Sequence, residues 1–347
     1  MRGAHVARWV WGGGPGARLA RLPLIPFAMV YWGLMKLRVA AYRAGWRRVE
    51  RLPLPTVAVG NLSVGGTGKT PLAAWIARYC AVRGRTPGVL LRGYGRDEPL
   101  VHRRLVPEAV VVADPDRAAG ARAAAARGAD VLVLDDAYQL LRVARDLNVV
   151  VVSAESLGAG ASPWPLPAGP WREGLDALDR AHAIVVTRKR ARAEAAQGVA
   201  DWLARDRSRG APVCIAHLAV SHFQGMQSGT PHEATVVMGR RVTAAAGIAD
   251  PGSFGAQLSA LGASVQLQAY QDHHAYAPGD VERLVRAAAG GDYVVVTEKD
   301  AVKLRAQWPP GGSVPEPLVA VLAVRWERNG RALEEALAAV LLEPRAP

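Results

Sequence analysis

The sequence predicts an α/β fold of the P-loop NTPase type: a doubly wound, mostly parallel sheet, with a second smaller α/β lobe and an N-terminal amphipathic helix. Two observations lead to this prediction. Valine-rich apolar runs alternate with helical stretches along most of the 347 residues, as expected for parallel strands that are buried on both faces. The first run, residues 56–60, leads directly into a glycine-rich loop and then a helical stretch, which is the context of a phosphate-binding loop.

Each predicted strand is a short aliphatic run, and each predicted helix has a helical apolar pattern or is rich in alanine. We place strands at 56–60, 87–92, 109–113, 130–134, 148–152, 182–187, 234–238, 293–297 and 317–324. We place helices at 71–83, 115–127, 251–262, 279–289 and 330–342, with a basic helical stretch within 188–212. The chain then divides into an N-terminal segment (1–51), a P-loop core (52–210) and a C-terminal α/β lobe (211–347) that would complete the active-site cleft.

Composition narrows the class of protein. The two cysteines, Cys80 and Cys214, have no metal-ligand spacing, so the sequence predicts neither a zinc site nor a disulfide framework. The net charge is +13, and residues 1–51 hold ten basic residues against one acid, Glu50. Such a skew fits nucleic acid, fits anionic lipid or has no functional meaning, and the neighbouring apolar residues favour lipid. We expect no nucleic-acid partner and no obligate protein partner.

The N-terminal segment combines that charge with apolar and aromatic residues. Residues 22–35 carry no charge, but Pro23 and Pro26 are expected to spoil the front of a helix, and crossing the hydrocarbon takes about 20 residues. From Phe27 to Val49 the apolar pattern is interrupted by basic side chains. We therefore predict a helix that lies in the membrane interface. The alternative is a helix packed on the protein's own core with a solvated basic edge.

The glycine-rich loop reads Ser63-Val64-Gly65-Gly66-Thr67-Gly68-Lys69-Thr70. Its glycines allow backbone N–H groups to turn toward phosphate oxygens, and the following helix adds the partial positive charge of its N-terminus. Lys69 is placed to reach the β- and γ-phosphates of ATP, and the Thr70 hydroxyl to ligate Mg²⁺. Only Ser63 departs from the general motif, which has glycine there. The alternative is a glycine-rich turn with an exposed lysine.

Acidic residues after a buried strand supply a second element of such a site. Asp135 and Asp136 follow four apolar residues, 131–134. At the carboxyl edge of the sheet they could hold Mg²⁺ directly or through water. A helix cap or turn acid is the alternative reading.

Three further groups are weaker candidates by spacing alone. Asp97 and Glu98 follow a strand end and could include a general base. Asp272 precedes His273 and His274, of which at most one is expected to act, because adjacent side chains point in different directions. Arg172 and Glu173 could clamp a phosphate or form a surface ion pair. Each group also suits an ordinary surface or capping role.

Taken in order, the motifs resemble one family, the tetraacyldisaccharide 4'-kinases of lipid A biosynthesis. The resemblance covers about residues 20–305, and at the Ser63 position the family has Ser or Thr. Two departures are Ala137 and Leu140, where the family has Gly and His. The segments that carry it are residues 59–71, 92–95, 97–99, 135–139, 166–173, 246–248, 272–273 and 297–303.

The resemblance implies an activity: ATP-dependent phosphorylation of the 4'-hydroxyl of an acylated glucosamine disaccharide 1-phosphate. It implies a peripheral enzyme on the cytoplasmic face of the bacterial inner membrane, with ATP and Mg²⁺ as cofactors. The roles that it implies are phosphate and metal binding by Lys69 and Thr70, metal binding by Asp135 and Asp136, and a catalytic base, Asp97, paired with His273. It also implies that Arg172 and Glu173 lie at the active site.

A different class shares the loop Gly65–Thr70: nucleotide-switch ATPases and GTPases that act on a protein partner. Such a protein would hydrolyse nucleotide slowly, respond to its partner and need no lipid.

Overall fold

The computed structural model describes every residue except 1–5, 8, 94, 96, 158–161, 311–313 and 343–347. The chain forms two compact units. Unit 1 comprises Met1–Gly93, Val106–Ala216 and Trp326–Pro347, and unit 2 comprises Tyr94–Leu105 and His217–Arg325. Unit 2 is thus made of two segments inserted in the sequence of unit 1.

The described residues include ten α-helices and twelve strands whose residues are all described. The helices are α1 (Pro15–Arg21), α2 (Ile25–Arg43), α3 (Lys69–Val82), α4 (Glu98–Leu105), α5 (Arg117–Ala126), α6 (Ala193–Asp206), α7 (Pro251–Ala260), α8 (Pro278–Ala289), α9 (Glu298–Leu304) and α10 (Gly330–Leu342). The strands are β1 (Thr56–Asn61), β2 (Pro87–Leu91), β3 (Val110–Ala113), β4 (Val131–Leu134), β5 (Leu147–Ser153), β6 (Ala183–Arg188), β7 (Val213–Gly225), β8 (Pro231–Glu233), β9 (Arg241–Ala246), β10 (Ser264–Ala269), β11 (Tyr293–Thr297) and β12 (Leu318–Arg328).

The sheet of unit 1 has the order β6-β5-β1-β4-β2-β3, and each neighbouring pair is parallel. β1, β4 and β5 are buried along their whole length, in agreement with their continuous apolar sequences. All six strands lie within one residue of their predicted bounds. The doubly wound parallel fold is confirmed. Because β1 and β4 are parallel neighbours, the loops that follow them meet at one edge of the sheet.

The sheet of unit 2 has the order β10-β9-β11-β12-β7. The pairs β10–β9, β9–β11 and β11–β12 are parallel, and β8 is antiparallel to β7. The strand predicted at 234–238 is wrong. Residues Ala234–Val237 form a 3-10 helix, and Gly239, with φ +69°, turns the chain before β9 begins. The β-branched residues 235–237 therefore belong to a turn of 3-10 helix and not to a strand.

The N-terminal helices run almost without interruption. A 3-10 turn, Leu22–Leu24, joins α1 to α2, and Pro23 and Pro26 each lie in the first turn of their helix, where a missing N–H is tolerated. The expectation that Pro23 and Pro26 spoil the front of the helix is therefore wrong. Pro15–Arg43 is long and apolar enough to cross a membrane by length and composition, and only 6% of its apolar window is buried.

Two glycines illustrate what the packing of unit 1 tolerates. A Cβ added at Gly60 in β1 would lie 2.6 Å from both the backbone N and the Cβ of Tyr138. Tyr138 is itself fully buried, and its hydroxyl donates to the carbonyl of Ala177 at 2.6 Å. The contact therefore cannot relax by moving a flexible side chain. A Cβ at Gly198, inside α6, would meet nothing within 4 Å.

We therefore expect Gly60→Ala to lower the free energy of unfolding by about 1–3 kcal/mol, the usual range for overpacking. Gly198→Ala is the matched control and should raise it by up to about 1 kcal/mol, because alanine loses less backbone entropy in a helix. Urea unfolding followed by circular dichroism measures both. Equal stabilities of the two variants would contradict the close approach at Gly60.

Candidate functional site

The phosphate-binding loop has the backbone that the motif predicts. Gly65 has φ +132°, and Gly68, the residue before α3, has φ +92°, values that L-residues with a side chain rarely adopt. The Asn61 side-chain amide donates to the carbonyl of Ser63 at 2.6 Å and to the hydroxyl of Thr67 at 2.9 Å. These bonds hold the loop against the end of β1, so that α3 begins where an anion can meet its free N–H groups.

A second set of contacts anchors the same loop from β6. The Thr187 hydroxyl donates to the carbonyl of Thr67 at 2.7 Å, and the Lys189 ammonium contacts the carbonyl of Gly66. Glu155 accepts the backbone N–H groups of residues 189, 190 and 191. Burial would raise the pKa of Glu155, but these bonds and one from Ser153 lower it to about 2. The sequence reasoning missed these residues, which carry no recognisable spacing.

Asp135 and Asp136 follow β4 and lie beside the loop. The Thr70 hydroxyl donates to Oδ2 of Asp135 at 3.1 Å, and Asp135 is only 4% exposed. Asp136 has φ +52°, and its side chain points toward Lys69 and Arg172 instead of Thr70. Its carboxylate lies 3.5 Å from Nζ of Lys69 and 3.2 Å from Nη1 of Arg172. The two acids therefore have different partners: a hydroxyl for Asp135 and two cations for Asp136.

The Thr70 hydroxyl and the Asp135 carboxylate suit a Mg²⁺ ion that arrives bound to a nucleotide. Across the described part of the chain, no group of three or more His, Cys, Asp or Glu side chains surrounds a common point. Mg²⁺ in phosphoryl-transfer sites typically takes one or two protein oxygens and completes its shell with phosphates and waters. The Thr70 hydroxyl and the Asp135 carboxylate are such a pair of oxygens.

Arg172 and Glu173 have different surroundings. The backbone N–H of Arg172 donates to the carbonyl of Leu62 at 2.7 Å, and its guanidinium pairs with Asp136. Glu173 is 7% exposed and forms an ion pair with Arg180 at 2.7 Å. Arg172 therefore belongs to the charged network around the loop, while the Glu173 carboxylate faces Arg180.

Asp97 and His273 form a close pair in unit 2. Nδ1 of His273 lies 3.1 Å from both carboxylate oxygens of Asp97, which is 6% exposed. Burial acts to raise the pKa of Asp97, but the bond to His273 and the charges of Lys303 and Lys299 lower it to about 2. The bond to Asp97 raises the pKa of His273 against the opposing effect of burial. The structure thus brings together two residues that are 176 positions apart.

Lysines surround this pair. Nζ of Lys303 lies 3.7 Å from Asp97 and 3.3 Å from Asp300, and Lys299 lies 3.7 Å from Glu98. Asp300 is fully buried and accepts the N–H of Gly247 at 3.0 Å. Sequence reasoning gave Lys303 no role. Its spacing of four from Lys299 would have placed both on one helix face, had α9 been predicted.

The neighbouring histidine faces elsewhere, as expected for adjacent residues. His274 lies 2.9 Å from Asp280 through Nε2 and stacks on Tyr270, with ring centroids 4.6 Å apart. It does not join the Asp97 pair. Tyr94 and Arg96, which precede Asp97, lie outside the described residues.

Comparisons with known proteins identify the family of the chain. The family model described as tetraacyldisaccharide-1-P 4'-kinase (LpxK) matches residues 20–99 and 96–342. The chain belongs to this family. A tetraacyldisaccharide 4'-kinase of Anaeromyxobacter dehalogenans is 37% identical over the whole of both chains. One from Aromatoleum aromaticum is 36% identical over 82% of this chain and 85% of its own. A crystal structure of LpxK from Aquifex aeolicus, titled as an "apo" form in complex with ATP, has a TM-score of 0.71 and 25% identity, covering 92% and 99% of the two chains.

The Asp97–His273 pair permits a direct test by NMR. The pKa of His273 should lie above 6.5, its ordinary value, because the carboxylate stabilises the imidazolium. In Asp97→Asn the imidazolium of His273 loses this stabilisation, so the pKa of His273 should fall toward that ordinary value. Asp280→Asn, which removes the partner of His274, is the control and should leave the His273 titration in place. An unchanged His273 pKa in Asp97→Asn would show that the pair does not form in solution.

Proposed function

We propose that the protein transfers the γ-phosphate of ATP to the 4'-hydroxyl of a tetraacyl glucosamine disaccharide 1-phosphate, as a kinase of lipid A biosynthesis. Membership of the tetraacyldisaccharide 4'-kinase family supports the acceptor. The observation that carries the chemistry is the charged network at the start of α3, where Thr70 meets Asp135 and Lys69 meets Asp136. This network provides the cation, hydroxyl and carboxylate that ATP with Mg²⁺ requires.

The residues of unit 1 are assigned to the nucleotide. Lys69 stabilises the β- and γ-phosphates, and the backbone N–H groups of residues 65–70 cradle their oxygens. Thr70 and Asp135 would hold Mg²⁺, which would neutralise phosphate charge. Asp136 keeps Lys69 and Arg172 oriented through its ion pairs with both, and its carboxylate would be a second acidic group for Mg²⁺. Phosphoryl transfer depends mainly on such positioning and charge neutralisation.

The residues of unit 2 are assigned to the acceptor. Asp97 is ionised at neutral pH and accepts the hydrogen bond of the attacking hydroxyl. As the hydroxyl oxygen bonds to the γ-phosphorus, the bond from that phosphorus to the bridging oxygen breaks and ADP leaves. The hydroxyl proton moves to Asp97 and is shared with His273, whose raised pKa makes the imidazole the more stable final site. His273 must be neutral at the start. We therefore expect turnover to rise with pH through the pKa of His273.

A single labelling experiment separates this proposal from a nucleotide switch. Incubation with γ-labelled ATP and the acylated disaccharide 1-phosphate should place the label in the lipid. Asp97→Asn should lower kcat by about 10²–10⁴-fold, the usual contribution of a general base, with little change in the KM for ATP. Lys69→Ala should be more damaging, because the transferring group loses its neutralising charge.

The control is His274→Asn, which alters the adjacent histidine that faces Asp280. It should retain most of the wild-type kcat. Release of free phosphate without labelled lipid would instead support the switch ATPase or GTPase. Wild-type turnover in Asp97→Asn would remove Asp97 from the mechanism.

The N-terminal segment is proposed to hold the enzyme on the cytoplasmic face of the inner membrane. Phe27, Val30 and Leu34 of α2 are each more than half exposed. Basic residues on the same segment add about 1 kcal/mol each near anionic lipid. Other α2 side chains bind the rest of unit 1: the Tyr31 hydroxyl donates to the Arg172 carbonyl, and Arg38 donates to the Gln139 carbonyl, both at 3.0 Å. A helix held along the protein in this way favours an interfacial position over a spanning one.

Vesicle binding tests this position. The triple variant Phe27→Ser/Val30→Ser/Leu34→Ser should bind vesicles that contain anionic lipid at least about 10³-fold more weakly, because each of the three side chains loses about 1.5–3 kcal/mol of apolar burial, or about tenfold or more in affinity. The control Val82→Ser/Leu342→Ser changes exposed apolar residues of α3 and α10 and should bind normally. Carbonate extraction should release the wild-type protein. Retention in the membrane would indicate a spanning helix instead.

A further inference from the structure

Unit 2 contains a cavity of about 510 Å³ with a strongly basic lining. Its lining comes from α4 (Leu100, Arg103 and Arg104), from β7 (Gln224) and from Arg305, the residue that directly follows α9. The lining therefore offers three guanidinium groups and one amide, and it includes no carboxylate. The volume falls in the range of small-molecule sites.

Arg104 lacks an acceptor for part of its guanidinium. Its Nη2 donates to Oε1 of Gln224 at 3.1 Å, whereas its Nη1 is buried and has no hydrogen-bond partner among the described residues. Burial lowers the pKa of Arg104, and the positive charge of Arg305 lowers it further, against a weaker opposing effect of Glu298. Two guanidinium groups thus lie close enough to repel each other, and one has a buried donor to spare.

A structural role explains only part of this arrangement. Arg103 and Arg104 lie in the last turn of α4, where positive charge is favourable to the helix dipole. That effect requires neither a cavity nor a buried donor without an acceptor. Buried donors in folded proteins nearly always have a partner. An oxyanion would satisfy Nη1, offset the repulsion and suit the planar fork of arginine, which binds phosphate through paired hydrogen bonds.

We propose that this cavity binds a phosphate monoester, namely the 1-phosphate that the lipid acceptor already carries. This inference rests on the proposed function. Asp97 immediately precedes α4, and Arg104 lies seven residues further on, about 10 Å along a helix. Two linked sugar rings separate the 4'-hydroxyl of the acceptor from its 1-phosphate. The hydroxyl at Asp97 and the phosphate at Arg104 would then be held by the two ends of one short helix.

A cycle of variants and acceptors tests the pairing. With the 1-phosphorylated acceptor, Arg104→Met should raise the KM roughly 10- to 100-fold, the effect of losing a charged hydrogen bond, with the KM for ATP unchanged. With an acceptor that lacks the 1-phosphate, wild type and Arg104→Met should have the same high KM. Arg104→Lys should be intermediate, because it keeps the charge and loses the fork. Arg305→Gln, at a more exposed position, repeats the test without altering a half-buried side chain.

The matched control is Arg286→Gln, which removes an exposed arginine from the last turn of α8 and should leave both KM values unchanged. An equal loss on both acceptors, or no loss on either, would overturn the assignment.

Calorimetry with inorganic phosphate and with glucosamine 1-phosphate provides a readout that needs no lipid kinase activity. Tighter binding of the sugar phosphate, lost in Arg104→Met, supports the acceptor as the source. Equal affinity for both ligands would indicate a site for free phosphate and would contradict the acceptor assignment. Absence of binding to either ligand would overturn the phosphate site itself. This last result does not depend on whether the protein phosphorylates the lipid.

Discussion

The close approach of β1 to the chain that follows β4 determines where the nucleotide residues of unit 1 lie. At Gly60 the backbone of β1 contacts Tyr138 so closely that no side chain fits between them. One residue later Asn61 begins to hold the phosphate-binding loop, and three residues before Tyr138 lies Asp135. Any shift of β1 against β4 would therefore separate Thr70 from Asp135. The hydrogen bond between those two side chains depends on a packing contact that takes no part in the chemistry.

Most of unit 1 could be predicted because its signals are local. Valine-rich strands that are buried on both faces have few alternative structures, and the loop Ser63–Thr70 carries its own glycine requirements. Asp135 and Asp136 were found because they directly follow such a strand. The Glu155 carboxylate, which fixes the turn after β6, could not be found in this way. Its partners are backbone N–H groups, which leave no trace in residue type.

Unit 2 was less predictable, and the reasons are physical. β7 is a long strand whose burial alternates along much of its length, so its apolar run is interrupted. β12 continues past the apolar run 317–324 that predicts it into residues 325–328, which include charged side chains. The exposed β10 is half polar, and the β-branched residues of 234–238 were mistaken for a strand although Gly239 turns the chain. Asp97 and His273 could be paired only through resemblance, since contacts across 176 positions have no signature in a single sequence. The arginine cavity was invisible for the same reason, because its lining comes from three separate stretches of chain.

The position of α10 in the sequence has a consequence for synthesis. This helix contacts β1 and β5, the central strands of unit 1, and the Tyr79 hydroxyl of α3 donates to the carbonyl of Glu334 at 2.8 Å. Residues 217–325 of unit 2 leave the ribosome before α10 exists. A nascent chain folding from its N-terminus must therefore leave uncovered the part of β1 and β5 that α10 contacts while residues 217–325 are made. Chaperone demand during translation should accordingly depend on when α10 is made rather than on when α1 is made.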